Sequence, residues 1–148
     1  MNTTSVNLLL ADDDVDDCMF FKEALKELPI HSFLKTVSDG KQLMDMLTTN
    51  PDTLPDILFL DLNMPRKTGY ECLSEIKLNN KLQRLPVIIY STSLNQEVVN
   101  LLYEGGARHY IRKPGDFSKL KKVILEALTI TSRDDPKNRS KENFIIEA

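Results

Sequence analysis

Three apolar runs of this chain stop on charged residues. Leu8-Leu9-Leu10-Ala11 runs into Asp12-Asp13-Asp14, Ile57-Leu58-Phe59-Leu60 into Asp61, and Tyr110-Ile111 reaches Lys113-Pro114 through Arg112. A carboxylate at the end of a buried strand is a candidate nucleophile, and Asp61 is the first such candidate here. If the first and second of these runs are neighbouring strands, Asp12, Asp13 and Asp61 crowd together. Like charges that close raise one another's pKa unless a cation sits between them. An all-oxygen ligand set that leaves room for water suits magnesium, or manganese, rather than zinc. Lys113 offers a compact ammonium as a phosphate counter-charge, and Ser91, which ends Val87-Ile88-Ile89-Tyr90-Ser91, offers a hydroxyl donor. A carboxylate nucleophile, a cation spanning it and the phosphoryl oxygens, and two further donors make a phosphoryl-accepting site. Phosphoryl transfer has a loose transition state, so positioning and charge neutralisation supply most of its catalysis.

Each of these residues also has a bland explanation. Asp is favoured at helix N-caps and in first turns by free amides and the helix dipole, and Asp14, Asp16 and Asp17 fit that role. Ser91 competes with Thr92, Ser93 and Asn95 for capping work. A lysine before a proline says little alone. The combination carries the reading.

The elements that must position these residues follow from periodicity. After the first strand, Cys18, Phe21, Leu25 and Leu28 recur at helical spacing and stop before Pro29. Phe33 to Val37 is a short extended candidate. Ser38-Asp39-Gly40 is a turn signal, and Leu43, Met44 and Leu47 form the next helical stripe. Ile57 to Leu60 reads as a strand, Gly69 to Leu78 as a helix, and Val87 to Tyr90 as a strand introduced by Leu85-Pro86. Val98, Leu101 and Leu102 give the fourth helical stripe, closed by Gly105-Gly106. His109 to Arg112 makes a fifth strand, and Leu120, Ile124, Ala127 and Leu128 mark a fifth helix. Strands alternating with helices imply right-handed crossovers and a parallel sheet covered on both faces. In such sheets ligands bind beyond the carboxyl ends of the strands, where the charged residues stand.

A chain of 148 residues with 41% hydrophobic and 28% charged residues fits one globular domain. Its apolar runs are too short to span a bilayer, and Met1-Asn2-Thr3-Thr4-Ser5 lacks the basic cluster of an export signal, so a cytoplasmic protein without membrane insertion is expected. Cys18 and Cys72 have neither zinc nor redox spacing and read as reduced core residues. A net charge of −3 with no basic stripe argues against direct nucleic-acid binding. The expected domain spans 1–130. Residues 131–148 read as a polar, flexible tail with no output domain, and Phe144-Ile145-Ile146 is a candidate anchor onto this chain, a second protomer or a kinase.

Asp12, Asp13, Asp61, Ser91 and Lys113-Pro114, over roughly Val6 to Thr129, resemble the response-regulator receiver domain of two-component signalling. Asn63, Met64-Pro65, Gly69 and Tyr110 also fall where receivers carry them. The resemblance implies a flavodoxin-like, doubly wound five-stranded parallel sheet of order 2-1-3-4-5 with five helices. It implies that Asp61 is the phosphoacceptor, that Asp13, Asp61 and the main-chain carbonyl of Asn63 bind magnesium, and that Asp12 contributes through water. Lys113 would contact the phosphoryl group. Ser91 and Tyr110 would form the switch, with Pro114 in a cis peptide bond and Gly69 structural. The implied donor is a sensor histidine kinase. Ser91-Thr92-Ser93 and Tyr103-Glu104-Gly105-Gly106-Ala107 further resemble stand-alone receivers paired with phytochrome-type kinases. That likeness implies a homodimer through helix four, strand five and helix five, with Tyr103, Tyr110 and Phe117 adding aromatic area.

Two other functional classes remain open. One is a phosphohydrolase with an aspartyl nucleophile. Such enzymes carry a second acid two residues on, where this chain has Asn63, which cannot act as a general acid. The other is a receiver-like binding module that signals without phosphate, against which the intact acids and Lys113 argue.

Overall fold

The computed structural model describes residues 5–50, 52–133 and 140–147. The chain alternates β1 (Val6–Ala11), α1 (Val15–Lys26), β2 (Ser32–Val37), α2 (Gly40–Thr49), β3 (Ile57–Leu60), α3 (Gly69–Leu78), β4 (Val87–Ser91), α4 (Gln96–Glu104), β5 (His109–Arg112), α5 (Phe117–Arg133) and β6 (Ile145–Ile146). The strands form one sheet in the order β2-β1-β3-β4-β5-β6, and every pairing is parallel. Five strands stand in the expected order. The sixth, β6, comes from the tail.

Position in the sheet follows composition. Every residue of β3 and β4 is buried, as continuous apolar strands covered on both faces require. β2 lies at an edge, where Phe33 and Lys35 are tolerated. Alternation along β1 sends Leu9 and Ala11 to a core shared with α2, α3 and α4, and Leu8 and Leu10 to a core shared with α1 and α5. On the second face Phe21 meets Phe59 and Tyr90 edge to face, with ring centroids 4.9 and 5.4 Å away. Helix starts are fixed by side-chain caps: Asp14 for α1, Asp39 for α2, Thr68 with Glu71 in a capping box for α3, and Asn95 for α4. In α4, Leu102 is buried as expected and Val98 is partly buried against the core, but Val99 is buried in place of Leu101, which is exposed. Among the described residues no helix is long and apolar enough to cross a membrane.

The tail departs most from expectation. α5 runs to Arg133, past the expected boundary at 130, and Thr131 is buried. Tyr110 N–H donates to the Phe144 carbonyl at 2.9 Å, and Ile145 and Ile146 pair with Tyr110 and Ile111. Without that pairing β5 would be an open edge of unmet backbone groups beside apolar side chains. Phe144 itself is buried, edge to face with Tyr103 at 5.3 Å and 6.4 Å from the Tyr110 ring. Of the three anchoring surfaces considered for Phe144-Ile145-Ile146, the structure uses this chain. The polar residues 134–139 lie outside the described residues.

Candidate functional site

The sheet's order reverses at β1, which pairs with β2 on one side and β3 on the other, and the crevice at their carboxyl ends opens there. The backbone fixes both ends of it. Asp12 N–H donates to the Val37 carbonyl at 3.0 Å, and Asp61 N–H to that of Ala11 at 2.9 Å. Asp12 and Asp61 are buried while Asp13 is exposed, and carboxylate oxygens of all three lie within 4.8 Å of one another. That donor set, hard oxygens with a solvent-facing side, fits a divalent cation that keeps part of its water.

Lys113 closes the site from β5. Its backbone N–H donates to the Ser91 carbonyl at 2.7 Å. Its Nζ donates to Asp12 Oδ2 and Asp17 Oδ2, both at 2.8 Å, and lies 4.0 Å from Asp61 Oδ1. The Tyr90 ring backs the ammonium, 5.1 Å from its centroid. Asp61 Oδ1 accepts from the Leu62 N–H at 2.9 Å. Ser91 is buried at the end of β4, its hydroxyl within 3.3 Å of Ser93 N and Ser93 Oγ.

Electrostatics match this crowding. Burial pushes the Asp61 carboxyl up to about 6, with Asp12 and Asp13 adding to the rise and Lys113 and the Leu62 N–H opposing it. Burial likewise raises Asp12 against the pull of Lys113. Burial works against the charge of Lys113, but its hydrogen bonds to Asp12 and Asp17 prevail and hold its pKa above the ordinary value. Without a cation this cluster is an anionic site short of positive charge.

Residues 8–125 match the response regulator receiver domain. The chain belongs to the response-regulator receiver family. Response regulator Rcp1 of Synechocystis is 34% identical over 121 residues, covering 79% of this chain and 82% of Rcp1. Probable methanogenesis regulatory protein FilR2 of Methanothrix harundinacea is 30% identical over 122 residues, covering 80% of this chain and 79% of that one. Among solved structures, the phosphorylated cyanobacterial phytochrome response regulator RcpA superposes with a TM-score of 0.80 at 30% identity, covering 88% of this chain and 96% of RcpA. The Mn²⁺-bound form of Rcp1 superposes with a TM-score of 0.73 at 32% identity, over 84% of this chain and 92% of that one.

This receiver places the remaining sequence candidates as follows. Gly69 lets α3 press against the end of β3: a Cβ there would stand 2.2 Å from the Asp61 carbonyl oxygen. Asn63 is exposed in the loop two residues beyond Asp61. Tyr110 is fully buried and donates its hydroxyl to the Ser93 carbonyl, so it is tied to the loop that follows Ser91. No peptide bond among the described residues is cis, and Lys113-Pro114 is therefore trans, contrary to the expectation for Pro114. Trans is the lower-energy isomer of an X-Pro bond by about 0.5–1 kcal/mol. In that isomer the Ser91 carbonyl, Asp12 and Asp17 already hold Lys113 at both ends.

Tyr103, Tyr110 and Phe117 do not make one aromatic patch. The first two pack with Phe144 on one face of the sheet, and Phe117 lines a groove beside Lys113 on the other. Cys72 is buried and Cys18 half-buried; both are free thiols, and burial raises each to about 11. Three contributors escaped sequence reasoning. Gly40 brings α2 against the loop after β3, where a Cβ would stand 2.1 Å from the Lys67 carbonyl oxygen. Tyr90 backs Lys113, although its place beside Ser91 at a strand end was a usable signal. Asp17 reads in sequence as one more first-turn acid.

Proposed function

We propose that this chain is a response-regulator receiver that accepts a phosphoryl group on Asp61 from the phosphohistidine of a sensor histidine kinase. The observation that carries the reading is the convergence of Asp12, Asp13 and Asp61 within 4.8 Å, with Lys113 Nζ 4.0 Å from Asp61 Oδ1. An Asp61 carboxylate oxygen forms the new P–O bond as the donor's P–N bond breaks and the histidine nitrogen keeps the electron pair. Asp13, Asp61 and the Asn63 main-chain carbonyl would hold Mg²⁺, with Asp12 contributing through water and Mn²⁺ as the alternative that the Mn²⁺-bound form of Rcp1 makes natural. Bound there, the cation would supply the positive charge that the carboxylates and the phosphoryl oxygens lack. Lys113 neutralises a further phosphoryl oxygen, and the Ser91 hydroxyl donates to another. The chain's only chemistry is its own phosphorylation and dephosphorylation.

The readout is a population shift. Ser91 turning toward the phosphoryl group rearranges the loop through Ser93, whose carbonyl holds the Tyr110 hydroxyl, and so reaches α4, β5 and α5. Phe144 already occupies the Tyr103 and Tyr110 side of that region, so a homodimer through α4, β5 and α5 has to use surface beyond the seat of Phe144. For the kinase, Val15, Met19, Phe20 and Phe117 leave apolar surface exposed, and Phe20 and Phe117 line the groove beside Lys113. A phytochrome-type kinase is the first class to try, because RcpA, 30% identical, is a phytochrome response regulator. Phosphotransfer from a panel of autophosphorylated histidine kinases tests the reading. Label should move from one kinase class to this chain and fail to reach Asp61→Asn; transfer that ignores the substitution would remove Asp61 from its role.

A further inference from the structure

The ammonium of Lys113 has three N–H donors. Two are taken, by Asp12 Oδ2 and Asp17 Oδ2 at 2.8 Å each, and Asp61 Oδ1 at 4.0 Å lies beyond direct hydrogen-bond reach. The two partners are not equivalent. Asp12 also belongs to the acidic cluster with Asp13 and Asp61, so a cation there draws on its charge. Asp17 stands outside that cluster, on the first turn of α1, and reaches a lysine just beyond the carboxyl end of β5.

We infer that Asp17 is a positioning residue for Lys113: it holds the ammonium between α1 and β5 so that the third N–H is left for a phosphoryl oxygen on Asp61. The inference rests on the phosphoacceptor reading above and extends it to a residue outside the acceptor, cation and switch set.

Geometry separates this role from that of an ordinary first-turn acid. Asp16 occupies the same turn and meets the helix dipole equally, yet it is exposed, whereas the Asp17 side chain is 31% exposed and the Lys113 side chain 9%. Asp14 performs the capping, accepting from the Asp17 backbone N–H at 3.1 Å, so α1 does not need the Asp17 carboxylate for its start. A lysine side chain carries several free torsions, and the Tyr90 ring fixes only the face on which its charge rests. A second carboxylate converts that face into a point. Misplacing a catalytic group by about an ångström can cost on the order of a hundredfold in rate. An ammonium that keeps Asp12 but loses Asp17 should lose a smaller factor.

The test compares Asp17→Asn, Asp17→Glu and Asp16→Asn in the full chain, with two readouts. The first is the ¹⁵Nζ ammonium resonance of Lys113, observed without phosphodonor or metal. It should broaden or vanish in Asp17→Asn, return in Asp17→Glu and stay unchanged in Asp16→Asn. The second is phosphorylation by acetyl phosphate with Mg²⁺. The maximal rate should fall about tenfold in Asp17→Asn with no rise in half-saturating acetyl phosphate, and Asp17→Glu should recover much of it. An unlabelled parent protein would defeat the phosphoacceptor reading and the inference with it. A labelled parent with an Asp17→Asn variant that matches it in ammonium signal and rate would defeat the inference alone.

Discussion

The carboxyl ends of β1 and β3 and the outer edge of β5 solve opposite problems with neighbouring parts of one sheet. At the first, three carboxylates stand within 4.8 Å and Asp61 is pushed up to about 6, an arrangement that costs the fold stability. At the second, Phe144 and Ile146 bury apolar surface against β5 and its flanking helices, and backbone pairing closes an edge, an arrangement that only adds stability. Burial therefore marks two different things here. Around Phe144 it is packing, whereas around Asp61 it is a carboxylate held where its charge is disfavoured.

Substitutions should separate the two regions in opposite directions. Phe144→Ala carries the largest expected effect: removal of a buried aromatic that touches Tyr103 and Tyr110 should cost about 3 kcal/mol in denaturant unfolding. Cation binding by the folded protein should stay within about twofold of the parent's, since no ligand is touched. Equal loss of both would join the regions that the geometry keeps apart.

Asp61→Asn should do the reverse. A carboxyl that titrates at about 6 in the folded chain, against about 3.9 unfolded, binds its proton more tightly in the native state. Its contribution to stability is full below the unfolded value and is lost as pH rises through about 6. Above that pH, without metal, Asp61→Asn should therefore raise unfolding stability by on the order of 1–2 kcal/mol while abolishing phosphorylation. A destabilised Asp61→Asn would show that the carboxylate is supported in the fold more than it is strained.

The smallest effect is on the cation. Ligand carboxylates bind it deprotonated, so the affinity for Mg²⁺ or Mn²⁺ should be level above about pH 7 and weaken about tenfold by about one unit below the Asp61 value. A titration calorimetry series that stays flat to about pH 5 would place Asp61 outside the ligand set.

The same contrast governs what the sequence disclosed. The strand ends at Asp12, Asp61 and Lys113 were legible because buried parallel strands are continuous apolar runs, and a charge that ends one stands out; Ser91 was legible only in their company. β3, α3 and β5 fall on their expected residues for the same reason. β6 was not legible as a strand. It is two residues long, follows a polar stretch, and gains its stability from a partner more than thirty positions earlier. Asp17 was hidden by its type, because first-turn acids are common and nothing local distinguishes one that reaches Lys113 from its neighbour Asp16. Gly40 reads as a turn residue, and only the packed structure reveals the Lys67 carbonyl against it.

Intact-mass analysis after incubation with acetyl phosphate and Mg²⁺ bears most directly on Asp61 as a reversible phosphoacceptor. The parent should gain the mass of one phosphoryl group, lose it again on standing, and show none of this as Asp61→Asn. A stable adduct, or one that persists in Asp61→Asn, would contradict the account.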